Sequence, residues 1–294
     1  MASPSDRKTH SNLRVGMAQV DCELYDVRAN MAKATELIKA HCGSLDLLIF
    51  PELSLTGYSV GEKFHTVALR MDNPDLKRLM GAAKGITVGV GFIEETPSFQ
   101  FFNSFLYFRD GEIVHKHRKI FLPNYGVFEE KKYFASGSRF DCFDHDKFRI
   151  GHFTCGDGWN PALVHVAASD AANVIVFSAC SPDIALGSGN RLSNRKNWLR
   201  LARFYATMYG IYVVFVNRTG SERDMNFYGE SVIVNPFGEM VISARGRTEG
   251  VFAGSLNLNH VRKARTVLHT VRDDNLDFIQ RSLSRVRARW DSAE

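Results

Sequence analysis

The sequence predicts an α/β domain. Short apolar runs near 46–50, 174–177 and 211–216 read as strands buried on both faces of a sheet. Amphipathic helical stretches alternate with them, and strand, helix and strand follow at βαβ spacing from the start. No internal repeat, low-complexity run or Pro/Ser-rich linker divides the 294 residues, so one domain is expected.

The elements follow in order. Residues 1–12 are polar and are expected to form a loose tail, the body to span 13–260, and 261–294 to be a C-terminal extension. LRVGMAQV at 13–20 is a first strand. Asn30 is expected to open a helix through about Ala40, with Met31, Ala34, Leu37 and Ile38 on one face. DLLIF at 46–50 is the next strand. Asn73 caps a helix over 74–83, and ITVGVGFI at 86–93 is again a strand. Residues 102–108 and 112–116 alternate across Arg109-Asp110-Gly111, a hairpin signal. The run from Phe148 stops at Cys155, and Asn160-Pro161 then suits a helix start, with the helix over 162–170. A helix over 194–209 carries Trp198, Leu201, Tyr205 and Met208 on one stripe. Strand and turn are expected over 227–238, then strands at 240–243 and 250–256. Near the end Leu276, Ile279, Leu283, Val286 and Trp290 recur at helical spacing, with Asp274 or Asn275 as cap, so this stripe is expected to dock on the body or on another subunit.

Composition narrows the function classes. The chain is 45% apolar and 23% charged, which is ordinary globular composition. The net charge of +5 gathers at Arg262, Lys263, Arg265, Arg281, Arg285, Arg287 and Arg289, without any nucleic-acid-binding motif, so no nucleic-acid partner is expected. No run approaches the roughly 20 apolar residues of a membrane span. The five cysteines are scattered and odd in number, with no CxxC pair, and no signal peptide precedes them. A reducing, cytoplasmic setting is expected, with no metal and no cofactor.

Three chemical groups end strands. Glu52 directly follows the buried strand at 46–50, where sheet proteins place reactive groups, although a loop glutamate that caps a turn would read the same. Lys119 leaves the hairpin within HRKIFLPNYGVFEEKKYF, whose aromatic residues argue for packing; alone it reads as a solvated edge charge. Cys155 sits at a strand-to-helix corner, where N–H donors face outward, although most lone cysteines are small buried hydrophobes. His115, His117 and His152 read as edge or core residues.

Together FPELSLTGY, HRKIFLPNYGVFEEKKYF and TCGDGWNP resemble the three signature blocks of the nitrilase superfamily, the carbon–nitrogen hydrolases, and VVFVNRTG and FYGESVIVNPFGE follow in order. The resemblance covers roughly 13–275 and implies a four-layer αββα sandwich, commonly a homodimer or higher homo-oligomer. It implies Cys155 as nucleophile, Glu52 as general base and acid, Lys119 with the Gly156 backbone N–H as oxyanion partners, and Glu130 as a positioning group, with Glu129 a surface charge. A thiol attacking an amide needs each of these: a base, positive or N–H groups at the oxyanion, and an acid for the leaving nitrogen. Asp157 and Trp159 resemble residues that set the turn and wall; Tyr125, Trp159 and Ser178 are candidate pocket residues. Gly156 departs from the larger residue usual there, which implies a looser turn or a roomier pocket.

The implied activity is hydrolysis of a linear amide or N-carbamoyl compound, through a cysteine thioester, with release of ammonia or an amine. A nitrilase, or a glutaminase supplying ammonia to a partner protein, is the alternative; a fused synthetase domain is not expected. A non-catalytic assembly member is the alternative of another class, and the intact Glu, Lys and Cys argue against it. Loops at roughly 58–66, 125–132 and 181–195 are expected to set the substrate, and Arg191 and Arg195 are candidates for a substrate carboxylate.

Overall fold

A computed structural model describes residues 11–183 and 194–292. Two six-stranded sheets stack face to face. The first holds β1 (Asn12–Gln19), β2 (Leu47–Ile49), β3 (Thr87–Glu95), β4 (Phe101–Arg109), β5 (Glu112–Arg118) and β14 (Gly250–Asn257), in the order β14-β1-β2-β3-β4-β5. The second holds β6 (Phe143–His145), β7 (Phe148–Thr154), β8 (Val174–Ala179), β9 (Tyr212–Asn217), β12 (Val232–Val234) and β13 (Met240–Ser243), in the order β13-β12-β9-β8-β7-β6. A ribbon of β10 (Thr219–Glu222) and β11 (Met225–Tyr228) stands apart. Each sheet has three parallel strands at its centre, β1-β2-β3 and β7-β8-β9, and antiparallel strands at its flanks. Glu52 follows the C-terminal end of β2 and Cys155 that of β7, while Lys119 follows the flank strand β5.

Seven α-helices are described: α1 (Val27–His41), α2 (Phe64–Val67), α3 (Pro74–Ala82), α4 (Pro161–Ser169), α5 (Asn194–Tyr209), α6 (Leu258–Val267) and α7 (Leu276–Asp291). Of these, α1 and α3 cover one outer face and α4 and α5 the other. Alternation along β1 and β2 explains the layering: Val15, Met17, Leu47 and Ile49 face the second sheet, meeting Val176, Val214 and Ile150. Ala18 and Leu48 point the other way, onto Met31, Ile38 and Leu76 of α1 and α3. On the far side Phe153, Ile175 and Val213 pack against Val164, Trp198 and Tyr205 of α4 and α5. The result is the four-layer αββα arrangement, in one domain.

Local signals place the elements. Asn73 accepts from the N–H groups of Asp75 and Leu76 to open α3, with Pro74 at its first position. Asn160 does the same for α4 through Ala162 N–H at 3.0 Å. Asp110 (φ 54°) and Gly111 (φ 90°) form the two-residue left-handed turn that joins β4 to β5.

Several expectations are corrected. α1 begins at Val27, because Asp26 rather than Asn30 caps it, accepting from Ala29 N–H at 2.9 Å; Asn30 instead turns inward to Glu23 and Leu55. The short β6, α2 and α6 and the polar β10–β11 ribbon carry too little periodicity to stand out in the sequence. α7 begins after Asn275, which accepts from Phe278 N–H at 2.9 Å. Its stripe docks only in part: Ile279 and Val286 are half-buried, whereas Leu276, Leu283 and Trp290 are exposed. The preceding turn is tied to the body by Asp274, 3.2 Å from His165 and 3.3 Å from Ser169. Among the described residues no helix is long and apolar enough to cross a membrane.

Candidate active site

Four strand ends meet on one buried ion cluster. Glu52 lies just past β2, Lys119 just past β5, Cys155 just past β7 and Cys180 just past β8. Glu52 and Lys119 are wholly buried, and Glu130, from the turn over Glu130–Lys132, is nearly so. Lys119 Nζ donates to Glu52 Oε1 at 2.7 Å and to Glu130 Oε1 at 2.6 Å. Neither the lysine nor the glutamates are solvated charges; each is held by the others, as buried charge requires.

The second contacts fix each group. Asn103 Nδ2 donates to Glu52 Oε1 at 2.8 Å and the Cys180 backbone N–H to Glu52 Oε2 at 2.8 Å, while the Cys180 thiol donates to the Glu52 carbonyl at 2.9 Å. Tyr58 Oη donates to Glu130 Oε1 at 2.7 Å. Tyr58 is held in turn by Glu222, whose carboxylate accepts from the Tyr58 N–H at 3.1 Å and the Ser59 N–H at 2.7 Å. Arg218 is the counter-ion to Glu222; it also donates to Asp21 at 2.8 Å and lies over the Phe227 ring at 4.4 Å. Gly91 makes the approach of β3 to Glu52 possible, since a Cβ there would lie 2.3 Å from the Leu53 backbone nitrogen.

Cys155 leaves β7 at φ 42°, a left-handed conformation that a non-glycine residue rarely adopts. It opens the turn Cys155–Trp159, which Thr154 and Asp157 cap reciprocally. Burial, then the neighbouring Glu52 carboxylate, pushes its thiol well above the ordinary range against the opposing pull of Lys119. The resting group is therefore a thiol, and a nucleophilic role for it would require a base. Burial raises Glu130 to about 7, with Lys119 opposing and Glu52 reinforcing. Burial disfavours the charge on Lys119, but Glu130 and Glu52 outweigh it and hold its pKa well above the usual lysine value. One ammonium between two carboxylates thus stays charged, and Glu130 is the carboxyl driven toward its neutral, protonated form.

Two hollows lie near the cluster, and neither is lined by Cys155, Glu52 or Lys119. A cavity of about 240 Å³ touches Glu130, between Tyr58–Gly61, Val127–Phe134 and Arg223–Met225. An open cleft of about 550 Å³ runs past Gly156, Phe121, Tyr125 and Trp159. Tyr125 and Trp159 thus line the cleft. Ser178 does not stand at a described cavity; it is wholly buried, 3.3 Å from His152 Nε2. The looser turn expected at Gly156 is corrected: a Cβ there would lie 2.6 Å from the Phe121 carbonyl oxygen and 3.3 Å from Pro123, so backbone fills the space. Glu129 is exposed and pairs with Lys132 at 3.2 Å. Arg195 is paired with Glu230, which leaves it committed, and Arg191 lies outside the described residues. His115 and His152 sit in the interior; burial lowers the first to about 4 and the second well below its ordinary value. Among the described residues no three His, Cys, Asp or Glu side chains form a metal-binding group.

Sequence reasoning passes over Asn103, Cys180 and Tyr58. Asn103 lies inside an ordinary strand and Cys180 just past one, and only FPELSLTGY holds a signal for Tyr58.

Comparisons with known proteins bear on the family and the fold. The profile of a family described as Carbon-nitrogen hydrolase matches residues 14–266. The chain is 30% identical over 253 residues to a glutamine-dependent NAD(+) synthetase of Thermotoga maritima, covering 84% of this chain and 42% of that protein. It therefore spans less than half the length of that relative. It is 28% identical over 273 residues to an N-carbamoylputrescine amidase of Solanum tuberosum, covering 86% of this chain and 89% of that one. Among solved structures, a carbon-nitrogen hydrolase from Helicobacter pylori G27 superposes with a TM-score of 0.81 at 22% identity, over 94% of this chain and 99% of that chain.

Proposed function

This chain belongs to the carbon–nitrogen hydrolase family, and we propose that it hydrolyses a linear amide or N-carbamoyl compound through a thioester on Cys155. The observation that carries this reading is the buried Glu52–Lys119–Glu130 cluster beside the strained Cys155 turn. Three ionisable groups without solvent cost several kcal/mol each to bury, which a scaffold has no use for.

Each group has a step. Glu52 takes the Cys155 proton as sulfur attacks the carbonyl carbon, which suits a thiol that is neutral at rest. Lys119 Nζ and the Gly156 N–H hold the resulting oxyanion. The C–N bond breaks as Glu52 returns the proton to nitrogen, and ammonia or an amine leaves. Water then gives its proton to Glu52, attacks the thioester and frees the acid and the thiol. Glu130 Oε1 is pinned by Tyr58 and Lys119, while its buried Oε2 has no partner among the described residues. That oxygen faces a substrate N–H, which orients the scissile group.

Glutamine is the favoured variant substrate, on the strength of the match to NAD(+) synthetases. The test is ammonia release across a panel of carboxamides, N-carbamoyl amines, glutamine and nitriles. Turnover of a carbamoyl amine or carboxamide, lost in Cys155→Ala, is expected. A Cys155→Ala protein that keeps the turnover refutes the mechanism. We also propose a homo-oligomer built on the exposed apolar residues of α5 and α7, among them Phe204, Leu283 and Trp290, and a reducing cytoplasmic setting, which the five free cysteines favour.

A further inference from the structure

We propose that Asp157 is a positioning residue that docks the Lys119 segment onto the Cys155 turn, and that position 156 is glycine because this docking leaves no room for a side chain. The inference rests on the reading of Cys155 as nucleophile and Lys119 as oxyanion partner.

A capping role alone explains only one of the contacts Asp157 makes. Its Oδ2 accepts from the Thr154 N–H at 3.2 Å, which completes the cap of the Cys155 turn. Its other contacts reach a different part of the chain. Oδ1 accepts from the backbone N–H of Ile120 at 3.0 Å and of Phe121 at 2.8 Å. Oδ2 also faces His117 Nε2 at 2.8 Å. Asp157 is wholly buried and His117 nearly so. One carboxylate thus meets four donors, the most its lone pairs accommodate, and two of them are the successive N–H groups that follow Lys119.

The Lys119 backbone is fixed from the other side by the sheet. Its N–H donates to the Asn103 carbonyl at 2.9 Å, and its carbonyl accepts from Gly137 N–H at 2.8 Å. Asp157 therefore sets how far the chain beyond Lys119 lies from Cys155. Gly156 reports the same closeness independently: the Phe121 carbonyl oxygen lies 2.6 Å from where a Cβ would be, and Lys119 Cε lies 3.4 Å from that point. A misplacement of about 1 Å between reacting groups costs on the order of 100-fold in rate, so a device that fixes this separation acts on catalysis without touching substrate.

The test is acetylation of Cys155 by p-nitrophenyl acetate, in which the S–C bond forms, p-nitrophenolate leaves and the thiol proton passes to Glu52. The rate at Cys155 is read by peptide mass in the wild type, Asp157→Asn, Gly156→Ala, Lys119→Ala and the Lys119→Ala/Asp157→Asn double variant. Asp157→Asn is expected to slow the reaction on the order of 100-fold in the wild-type background and less than about 3-fold where Lys119 is already gone, because the two act as a unit. The same loss in both backgrounds, or a wild-type rate in Asp157→Asn, overturns the proposal. If Asp157→Asn does not fold, Gly156→Ala decides: it pushes Phe121 away and leaves the carboxylate intact, so a folded Gly156→Ala at the wild-type rate overturns the proposal. Ile38→Ala, a cavity in the opposite helical layer, is expected to lower Tm and leave the rate unchanged; a slowed rate there would mean that lost stability alone suffices, and would count against the proposal. If wild-type Cys155 is not acetylated at all, the nucleophile reading itself fails, an outcome distinct from the others.

Discussion

Glu130→Gln tests the electrostatics of the site through stability rather than turnover. Burial, against the pull of Lys119, lifts the Glu130 carboxyl from an ordinary 4.5 to about 7. A carboxyl with a raised folded pKa holds its proton more tightly in the native state than in the unfolded chain. Its contribution to stability is therefore complete below about 4.5 and is lost as pH rises through about 7. A displacement of that size is worth about 3 kcal/mol. Glutamine mimics the protonated acid at every pH. Its oxygen still accepts from Lys119 and Tyr58, and its amide stands where Oε2 has no partner, an offset of about 1–3 kcal/mol that does not depend on pH. The assay is urea unfolding of both proteins between pH 4.5 and about 8, read as the difference between them, so that groups common to both cancel. That difference is expected to move by about 3 kcal/mol in favour of the glutamine variant as pH rises. Because Glu52 shares the same ammonium, the titration belongs to the pair and spreads over more than one pH unit. A flat difference, or one that moves toward the wild type with rising pH, would show that Lys119 outweighs burial and that Glu130 is an ordinary salt-bridged carboxylate.

Gly91→Ala puts a Cβ 2.3 Å from the Leu53 nitrogen and 2.9 Å from the Glu52 carbonyl carbon, so Glu52 must move; if Glu52 is the proposed general base, a fall in kcat/KM on the order of 100-fold is expected, and near-normal turnover would count against a fixed Glu52. Arg218→Met strands the buried Glu222 carboxylate and is expected to cost about 3–5 kcal/mol in urea unfolding, partly recovered by adding Glu222→Leu; a loss under about 1 kcal/mol would mean that Glu222 finds solvent. Removal of residues 272–294 takes away α7 and its exposed Leu276, Phe278, Leu283 and Trp290, and sedimentation velocity is expected to show a smaller assembly than the full chain; a full-length monomer would refute the assembly reading.

The order of strands and helices was legible because most elements announce themselves locally. Asn73-Pro74 and Asn160-Pro161 mark helix starts, and Asp110-Gly111 marks a hairpin. Glu52 and Cys155 each follow a strand whose burial is written in its apolar run, whereas the strand before Lys119 is largely exposed, and it was the three blocks taken together that singled out all three residues. What sequence withholds is the meeting of side chains from distant segments. Asn103 is one polar residue inside β4, and nothing local says that it points at Glu52, 51 positions away. Cys180 contributes a backbone N–H, which leaves no mark in the side-chain pattern. Gly156 was legible as a departure but misjudged in sense, because the group that fills its space, the Phe121 carbonyl, belongs to another strand end.

The two strand ends that carry Glu52 and Cys155 share a backbone device. Leu53, directly after Glu52, has φ 46°, and Cys155 has φ 42°; both are non-glycine residues in the left-handed region. Such residues cost on the order of 1–3 kcal/mol each and persist only where the surroundings over-determine them. At Leu53 the restraint is β3: Leu55 N–H donates to the Gly91 carbonyl at 3.0 Å, and Gly91 N–H donates to Ser54 Oγ at 3.2 Å. At Cys155 it is the Thr154–Asp157 cap. One of these conformations stands directly after Glu52, beside the first sheet, and the other at Cys155, at the end of a strand of the second. A relaxed backbone at either place would leave the residues present and the cluster dispersed. The restraints on these two turns, Gly91 on one and Asp157 on the other, are therefore as much part of the site as the groups they aim.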